Sequence, residues 1–220
     1  MTAVVFERYS GEQTLAMLDD IADLYAEIRS GNPDEQDEMF SRPSFIARTT
    51  SQAHAPGFEL VLASSGDAPA GFSFGYPLPP GQWWAECTPP AQDVLDSPKF
   101  AVIELDVRQA WQGQGIGKKL LQELLADRAE TFATLAATPG SPAHAMYSRW
   151  GWRKAGVFIT PPPMDALLTH LNDLGIDAER TGRRRAPGTA RKPPRAPRLH
   201  RARQHDMSTH PGHPPPHRNA

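Results

Sequence analysis

At 220 residues the chain has room for one ordinary domain with its own core plus an appendage. Its single cysteine, Cys87, excludes an internal disulfide and a thiolate metal cluster, and no window approaches the roughly 18 apolar residues of a spanning helix. The net charge of −2 conceals an asymmetry: from Asn172 onward 11 Lys and Arg stand against 4 Asp and Glu, so an acidic body carries a basic tail.

The opening MTAVVFERYS lacks a basic segment followed by a long apolar run, so a cytoplasmic protein without a secretory signal is expected. Val4 to Arg8 is β-branched and aromatic and suits an edge strand. Leu15, Leu18, Ile21, Leu24 and Ile28 recur at offsets of three and four, which predicts a helix over 14–29 with one buried face. Gly31, Asn32 and Pro33 end it, and the acidic run Asp34, Glu35, Asp37 and Glu38 follows. Ser41-Arg42-Pro43 can open a second helix through about Gln52, because proline is tolerated in a first turn. Phe58 to Ser64 and Ala70 to Tyr76 read as an antiparallel hairpin turning on Gly66 and Asp67. Pro77 to Lys99 is a long proline-rich loop carrying Trp83-Trp84. Loops of this length are often lids or binding loops, and two Trp side chains can equally cover an exposed sheet end.

Phe100 to Val107 is nearly all apolar, as a central strand requires. A helix is expected over 117–131 with Leu120, Leu121, Leu124 and Leu125 facing the sheet, then a strand over 132–136. A helix between the two strands implies parallel pairing. A short helix over 142–149 and strands over 152–159 and 164–171 complete the pattern. Beyond about Leu174 the Arg-, Pro- and His-rich sequence has no apolar periodicity. The expected division is a folded domain over 1–172 and a disordered basic tail over 173–220. Clustered Arg could neutralise nucleic-acid phosphates, but no aromatic residues interleave them, and non-specific charge is the preferred reading.

The segment FAVIELDVRQAWQGQGIGKKLLQELL carries the chemistry: strand, polar turn, glycine-rich loop, amphipathic helix. A helix N-terminus offers amides without intrahelical partners and a partial positive charge, which suits a phosphate or pyrophosphate. Three loop types compete. The dinucleotide fingerprint requires G-x-G-x-x-G, but the glycines fall at 113, 115 and 117. The P-loop requires four residues between its glycines and a hydroxyl after its lysine; this loop is one residue short and has Lys119 at that place. Both fail on spacing.

The third fits. Gln112-Gly113-Gln114-Gly115-Ile116-Gly117 resembles the Q/R-x-x-G-x-G/A loop of the GNAT-type N-acetyltransferases. The preceding Leu105-Asp106-Val107 is similar to that family's L-x-V, and Trp111 fills its bulky slot. About thirty residues on, Ala143 to Trp152 resembles the family's A-x-x-x-Y-x-x-x-G-F/W segment, with Tyr147 as the tyrosine. One departure is visible: members often carry Asn seven residues before this Tyr, where this chain has Gly140.

The resemblance implies an α/β fold of the α+β kind: a mixed sheet of about six or seven strands, flanked by helices and splayed between two parallel strands. It implies acetyl-coenzyme A as co-substrate, with no metal, and a small-molecule or peptide amine as acceptor, in a monomer or homodimer away from membranes. The pyrophosphate would lie on the loop Gln112, Gly113, Gln114, Gly115, Ile116, Gly117 and Lys118, where glycine lets the anion approach the backbone. The pantetheine arm would pair with the strand edge near Leu105 and Val107, and an amide near Val107 would bind the oxyanion. Tyr147 would protonate the leaving thiolate. Glu104 is the candidate base, because an acid in an apolar strand is costly unless paired or functional; an ion pair with an Arg from a packed helix, or a water chain as base, stands beside that reading. Asp34, Glu35, Glu86 and Asp93 near the mouth favour a cationic amine. The alternative is a catalytically silent coenzyme A-binding regulatory module, which has no need of a proton donor such as Tyr147.

Overall fold

The computed structural model describes residues 3–30, 38–159 and 163–174. In chain order the elements are β1 (Val4–Ser10), α1 (Gly11–Ala16), α2 (Leu18–Arg29), α3 (Arg42–Ala53), β2 (Glu59–Ser65), β3 (Ala68–Leu78), α4 (Gln92–Leu95), β4 (Lys99–Val107), α5 (Ile116–Leu125), β5 (Phe132–Ala137), α6 (Pro142–Arg149), β6 (Arg153–Val157) and β7 (Asp165–His170). The seven strands form one sheet in the order β1-β2-β3-β4-β5-β7-β6, with β4 and β5 as its parallel pair. The tail beyond Leu174 and the acidic residues Asp34, Glu35 and Asp37 lie outside the described residues.

Two apolar layers cover the sheet. On one face Ile116, Leu120, Leu121, Leu124 and Leu125 of α5 meet Val61, Phe100, Val102, Ala133, Leu135 and Leu167, and Tyr147 and Trp152 join them. Full burial of one such leucine contributes about 1.5–3 kcal/mol. On the other face α2 and α3 bring Ile21, Leu24, Tyr25 and Phe45 onto Leu60, Leu62, Phe72 and Phe74, with Leu15 of α1 packed alongside.

Two predicted helices differ in the structure. The single helix expected over 14–29 breaks at Met17, whose φ of −120° closes α1 and opens α2. The break lets Thr14, Met17 and Leu18 all turn inward. The helix expected through Thr131 stops at Leu125, because Ala126 is extended and Asp127 has φ +59°. Arg128 holds the chain there: its Nε donates to Leu124 O at 2.8 Å and its guanidinium lies 3.4 Å over the Phe100 ring. The proline-rich loop is shorter than expected at its start, since β3 runs on through Leu78, and it contains the single turn α4.

The feature that positions the site is the short contact between β4 and β5. They pair only at Lys99–Phe132, Phe100–Ala133 and Ala101–Thr134. Beyond that point β5 stays bonded to β7 through Ala137, while β4 stays bonded to β3 through Val107. A bulge accompanies the divergence: Phe74 faces Glu104 and Gly75 faces Val102, so Ile103 has no opposite number. Bulges bend the strand and increase its twist, which carries the second half of β4 away from β5.

Candidate active site

The bulge also decides which way the site residues face. Simple alternation places Glu104 opposite both Ile103 and Leu105. In the structure Val102 packs with α5, Ile103 packs with the α1–α3 layer, and Leu105 and Val107 return to the α5 side. Glu104 therefore shares the face of Ile103, because the extra residue interrupts the alternation.

On that face Glu104 is held by two guanidiniums. Its Oε1 accepts from Arg48 Nη2 at 2.8 Å and its Oε2 from Arg29 Nη2 at 3.0 Å. The same Arg29 nitrogen lies 2.8 Å from Asp106 Oδ1. Arg48 also donates to the Tyr25 hydroxyl at 2.9 Å and to Met39 O at 2.9 Å. Glu104 thus occurs in the ion-paired arrangement set beside its role as base, with arginines from both α2 and α3. Neither arginine was legible beforehand, because each lies more than fifty residues from Glu104 in sequence and only the bulge brings the carboxylate to their side.

The free edge of β4 is defined by its hydrogen bonds. Arg108 N–H donates to Ala70 O at 2.9 Å and Glu104 O accepts from Ser73 Oγ at 2.7 Å, so the even-numbered residues address β3. Strand alternation then directs the amides and carbonyls of Leu105 and Val107 toward the side that β5 has left. The Val107 carbonyl is taken by Gln112 Nε2 at 3.0 Å, which ties the glycine loop to the strand end.

The loop has the geometry of an anion cradle. Gly113 and Gly115 have φ of +72° and +81°, the left-handed region where a Cβ is disfavoured, and Gly115 is the N-cap of α5. Gln112 N–H is used internally, donating to Gln109 O at 3.2 Å. The helical ladder begins with Lys119 N–H to Gly115 O at 3.0 Å. Among the described residues no backbone acceptor takes the amides from Gly113 to Lys118, and all of this stretch except Ile116 and Gly117 is exposed. Gly117 lies against the Val107 and Leu105 side chains, so loop and free edge form one surface. Lys119 is paired with Glu123 at 3.0 Å, whereas Lys118 is exposed. A row of amides at the start of a ten-residue helix, beside an unpaired strand edge, fits a diphosphate followed by an amide-bearing arm.

Tyr147 stands on α6 and is 8% exposed, with its ring centroid 5.9 Å from that of Trp150 and 5.8 Å from that of Trp152. Burial drives its pKa well above the ordinary tyrosine value, and the negative charges of Asp106 and Glu104 push it further the same way. The hydroxyl is therefore protonated at every physiological pH and lies within electrostatic reach of the carboxylates of β4. α6 is itself pinned: Ser141 accepts from His144 N–H, and His144 Nε2 lies 3.2 Å from Asp165 Oδ2 on β7, which also pairs with Lys154 at 2.7 Å.

Of the tryptophan pair, Trp84 donates from Nε1 to Thr134 Oγ1 at 2.9 Å, and Thr134 donates on to Leu167 O at 2.9 Å. Thr134 is the last β5 residue paired with β4, so the indole is fixed at the foot of the splay. Trp83 bonds its own loop at Thr88 O. Glu86 and Asp93, expected near the mouth, are exposed residues of this loop. Among the described residues no group of three or more His, Cys, Asp or Glu is placed to hold a metal ion, and no helix is long and apolar enough to cross a membrane.

The splayed parallel pair, the amide loop and the tyrosine helix define an acetyltransferase-type frame, and comparison with known proteins agrees. The family model described as "Acetyltransferase (GNAT) family" matches residues 18–152, more than half of the chain. The chain belongs to the GNAT family of acetyltransferases. Its fold is similar to that of a protein of Pyrococcus horikoshii (TM-score 0.54, 19% identity, covering 76% of this chain and 98% of that one). It is similar also to an aminoglycoside N(6')-acetyltransferase of Legionella pneumophila (TM-score 0.53, 12% identity, 80% and 96% covered). An aminoglycoside 6'-acetyltransferase type Ii gives a TM-score of 0.52 at 15% identity, with 76% and 97% covered. Among curated protein sequences none matches this chain.

Proposed function

We propose that this member of the family transfers the acetyl group of acetyl-coenzyme A directly to an amine of a small molecule or peptide. The observation that carries the reading is the conjunction of the unpartnered amides from Gly113 to Lys118 with the free edge of β4 at Leu105 and Val107. When bound, acetyl-coenzyme A supplies an activated thioester; the rest is done by this chain's own groups. The amides of Gly113 to Lys118 bind the diphosphate, with Lys118 adding charge and the Gln112 side chain holding the loop in place. The Leu105 and Val107 edge orients the pantetheine arm. The Val107 N–H stabilises negative charge on the thioester oxygen as the amine attacks, a contribution worth about 10²–10³ in rate for one donor. The new N–C bond forms as the C–S bond breaks. The amine's proton leaves to Glu104 or through a water chain that ends on it, and the departing thiolate takes the proton of Tyr147, so the products are an acetamide and a thiol. Burial leaves the Tyr147 hydroxyl protonated in the resting site, so it has a proton to give as the C–S bond breaks.

Two structural neighbours are named for aminoglycoside acetylation; at 12% and 15% identity that makes aminoglycosides one class to test. The test is a thiol-release assay with acetyl-coenzyme A against amines, peptides and aminoglycosides, paired with calorimetry of coenzyme A binding. Amine-dependent thiol release is the expected result. Binding without release for any acceptor would replace the transferase with a regulatory coenzyme A-binding module, and absence of binding would remove both.

A further inference from the structure

We infer that the opening of the splay is set from β3: Gly71, Ser73 and Gly75 are positioning residues that draw β4 away from β5, although β3 itself does not border the gap. This rests on the reading above that the free edge of β4 takes the pantetheine arm. Through Ala101, β4 is paired on both sides; beyond it, β4 follows β3 alone. An unpaired strand edge gives up its ladder of hydrogen bonds, so the β3 side must hold β4 strongly enough to keep the gap open.

Three residues of β3 do this, and at alternate positions they share one face of the strand. A Cβ on Gly75 would overlap the Ala101 carbonyl oxygen and stand 2.6 Å from Phe100 Cε1. Ala101 is the last β4 residue paired with β5. β4 therefore leans onto β3 where its pairing with β5 ends, just ahead of the unmatched Ile103. The approach recurs at the open end of the splay, where a Cβ on Gly71 would overlap Asp106 O and stand 2.9 Å from Val107 Cα. Between the glycines Ser73, fully buried, donates from Oγ to Glu104 O at 2.7 Å. The C=O and N–H of one trans peptide group point in opposite directions. A hydroxyl that holds Glu104 O toward β3 thus keeps the Leu105 N–H aimed into the gap. Any side chain at 75 would push Ala101 off β3, toward β5, and narrow the cleft that the arm must enter.

The experiment is calorimetry of the full chain with two ligands: coenzyme A, and its nucleotide part 3′-phospho-ADP, which carries the diphosphate without the arm. In the wild type coenzyme A binds more tightly than the nucleotide. Gly75→Ala should weaken coenzyme A about tenfold, the equivalent of one or two hydrogen bonds of ordinary net strength, and leave the nucleotide within about twofold. Ser73→Ala, which deletes a single oxygen, should do the same about threefold. Melting temperatures identify a variant that does not fold, and if Gly75→Ala is one, Ser73→Ala decides. A merely structural role would weaken both ligands together. Equal losses for the two ligands, or coenzyme A affinity unchanged in the folded variants, overturn the inference and leave the transferase reading intact. A wild type that binds coenzyme A no more tightly than the nucleotide overturns both the inference and the pairing of the arm with β4.

Discussion

Tyr147 and Glu104 illustrate how much a residue's role depends on what surrounds it. Tyr147 was legible from its motif spacing alone, since the sequence puts it four residues before Gly151 and on a short helix. Its two aromatic neighbours, Trp150 and Trp152, follow it in the same segment. The carboxylates of Asp106 and Glu104 that, after burial, raise its pKa lie on β4 and leave no local signal around it. If it supplies the thiolate's proton, Tyr147→Phe lowers kcat by about 10²-fold while coenzyme A affinity stays within about twofold, as expected for a group that acts in the transition state only. Calorimetry beside pre-steady-state thiol release reads both quantities, and an unchanged chemical step would remove Tyr147 from the mechanism. Glu104 was legible as an acid in an apolar strand. Its partners were not, because an arginine fifty or more residues away leaves no local periodic signal.

At the scale of elements, the strand–loop–helix unit from β4 to α5 was readable because local rules agree there: apolar strand, glycines at the turn, leucines at helical spacing. The bulge at Ile103 was not, since one extra residue leaves no mark in the composition of an apolar strand. The break at Met17 escaped for a similar reason, as residues on both sides keep helical spacing. The loop between β3 and β4 was visible as a loop but not as an ordered one. Lys99 orders it: fully buried, its Nζ donates to the carbonyls of Val94, Leu95 and Ser97 at 3.1, 2.9 and 2.7 Å. Lys99→Met keeps the aliphatic stem and orphans those acceptors. It should destabilise the fold by about 1.5–3 kcal/mol, the usual contribution of hydrogen bonds to a charged donor. Limited proteolysis should then cut within 79–98 first, and equal resistance of mutant and wild type would show that the lysine does not secure the loop.

For the whole molecule, the chain's four tyrosines give a collective readout. Tyr9, Tyr25, Tyr76 and Tyr147 all have pKa values raised above 10.0, chiefly by burial, with Tyr9 at about 12. A raised folded-state value means that the native state holds the proton more tightly than the unfolded chain. The stability it contributes is complete below pH 10 and is lost as pH rises through the folded-state values. Absorbance at 295 nm should therefore show less tyrosinate at pH 10 in the native protein than in the unfolded chain, with the remaining rise at higher pH accompanying loss of secondary structure. A native titration centred on the ordinary tyrosine value would contradict the burial of these rings.

The central claim is that the amides from Gly113 to Lys118 hold the diphosphate of a thioester carrier beside the free edge of β4. Calorimetric titration of the full chain and of Gly115→Ala with acetyl-coenzyme A tests it most directly. Gly115 has φ +81°, and an L side chain there costs about 1–2 kcal/mol. The account predicts one site of about micromolar affinity in the wild type and about tenfold weaker binding in a variant that remains folded. No binding by the wild type, or equal affinity in the two proteins, would contradict it.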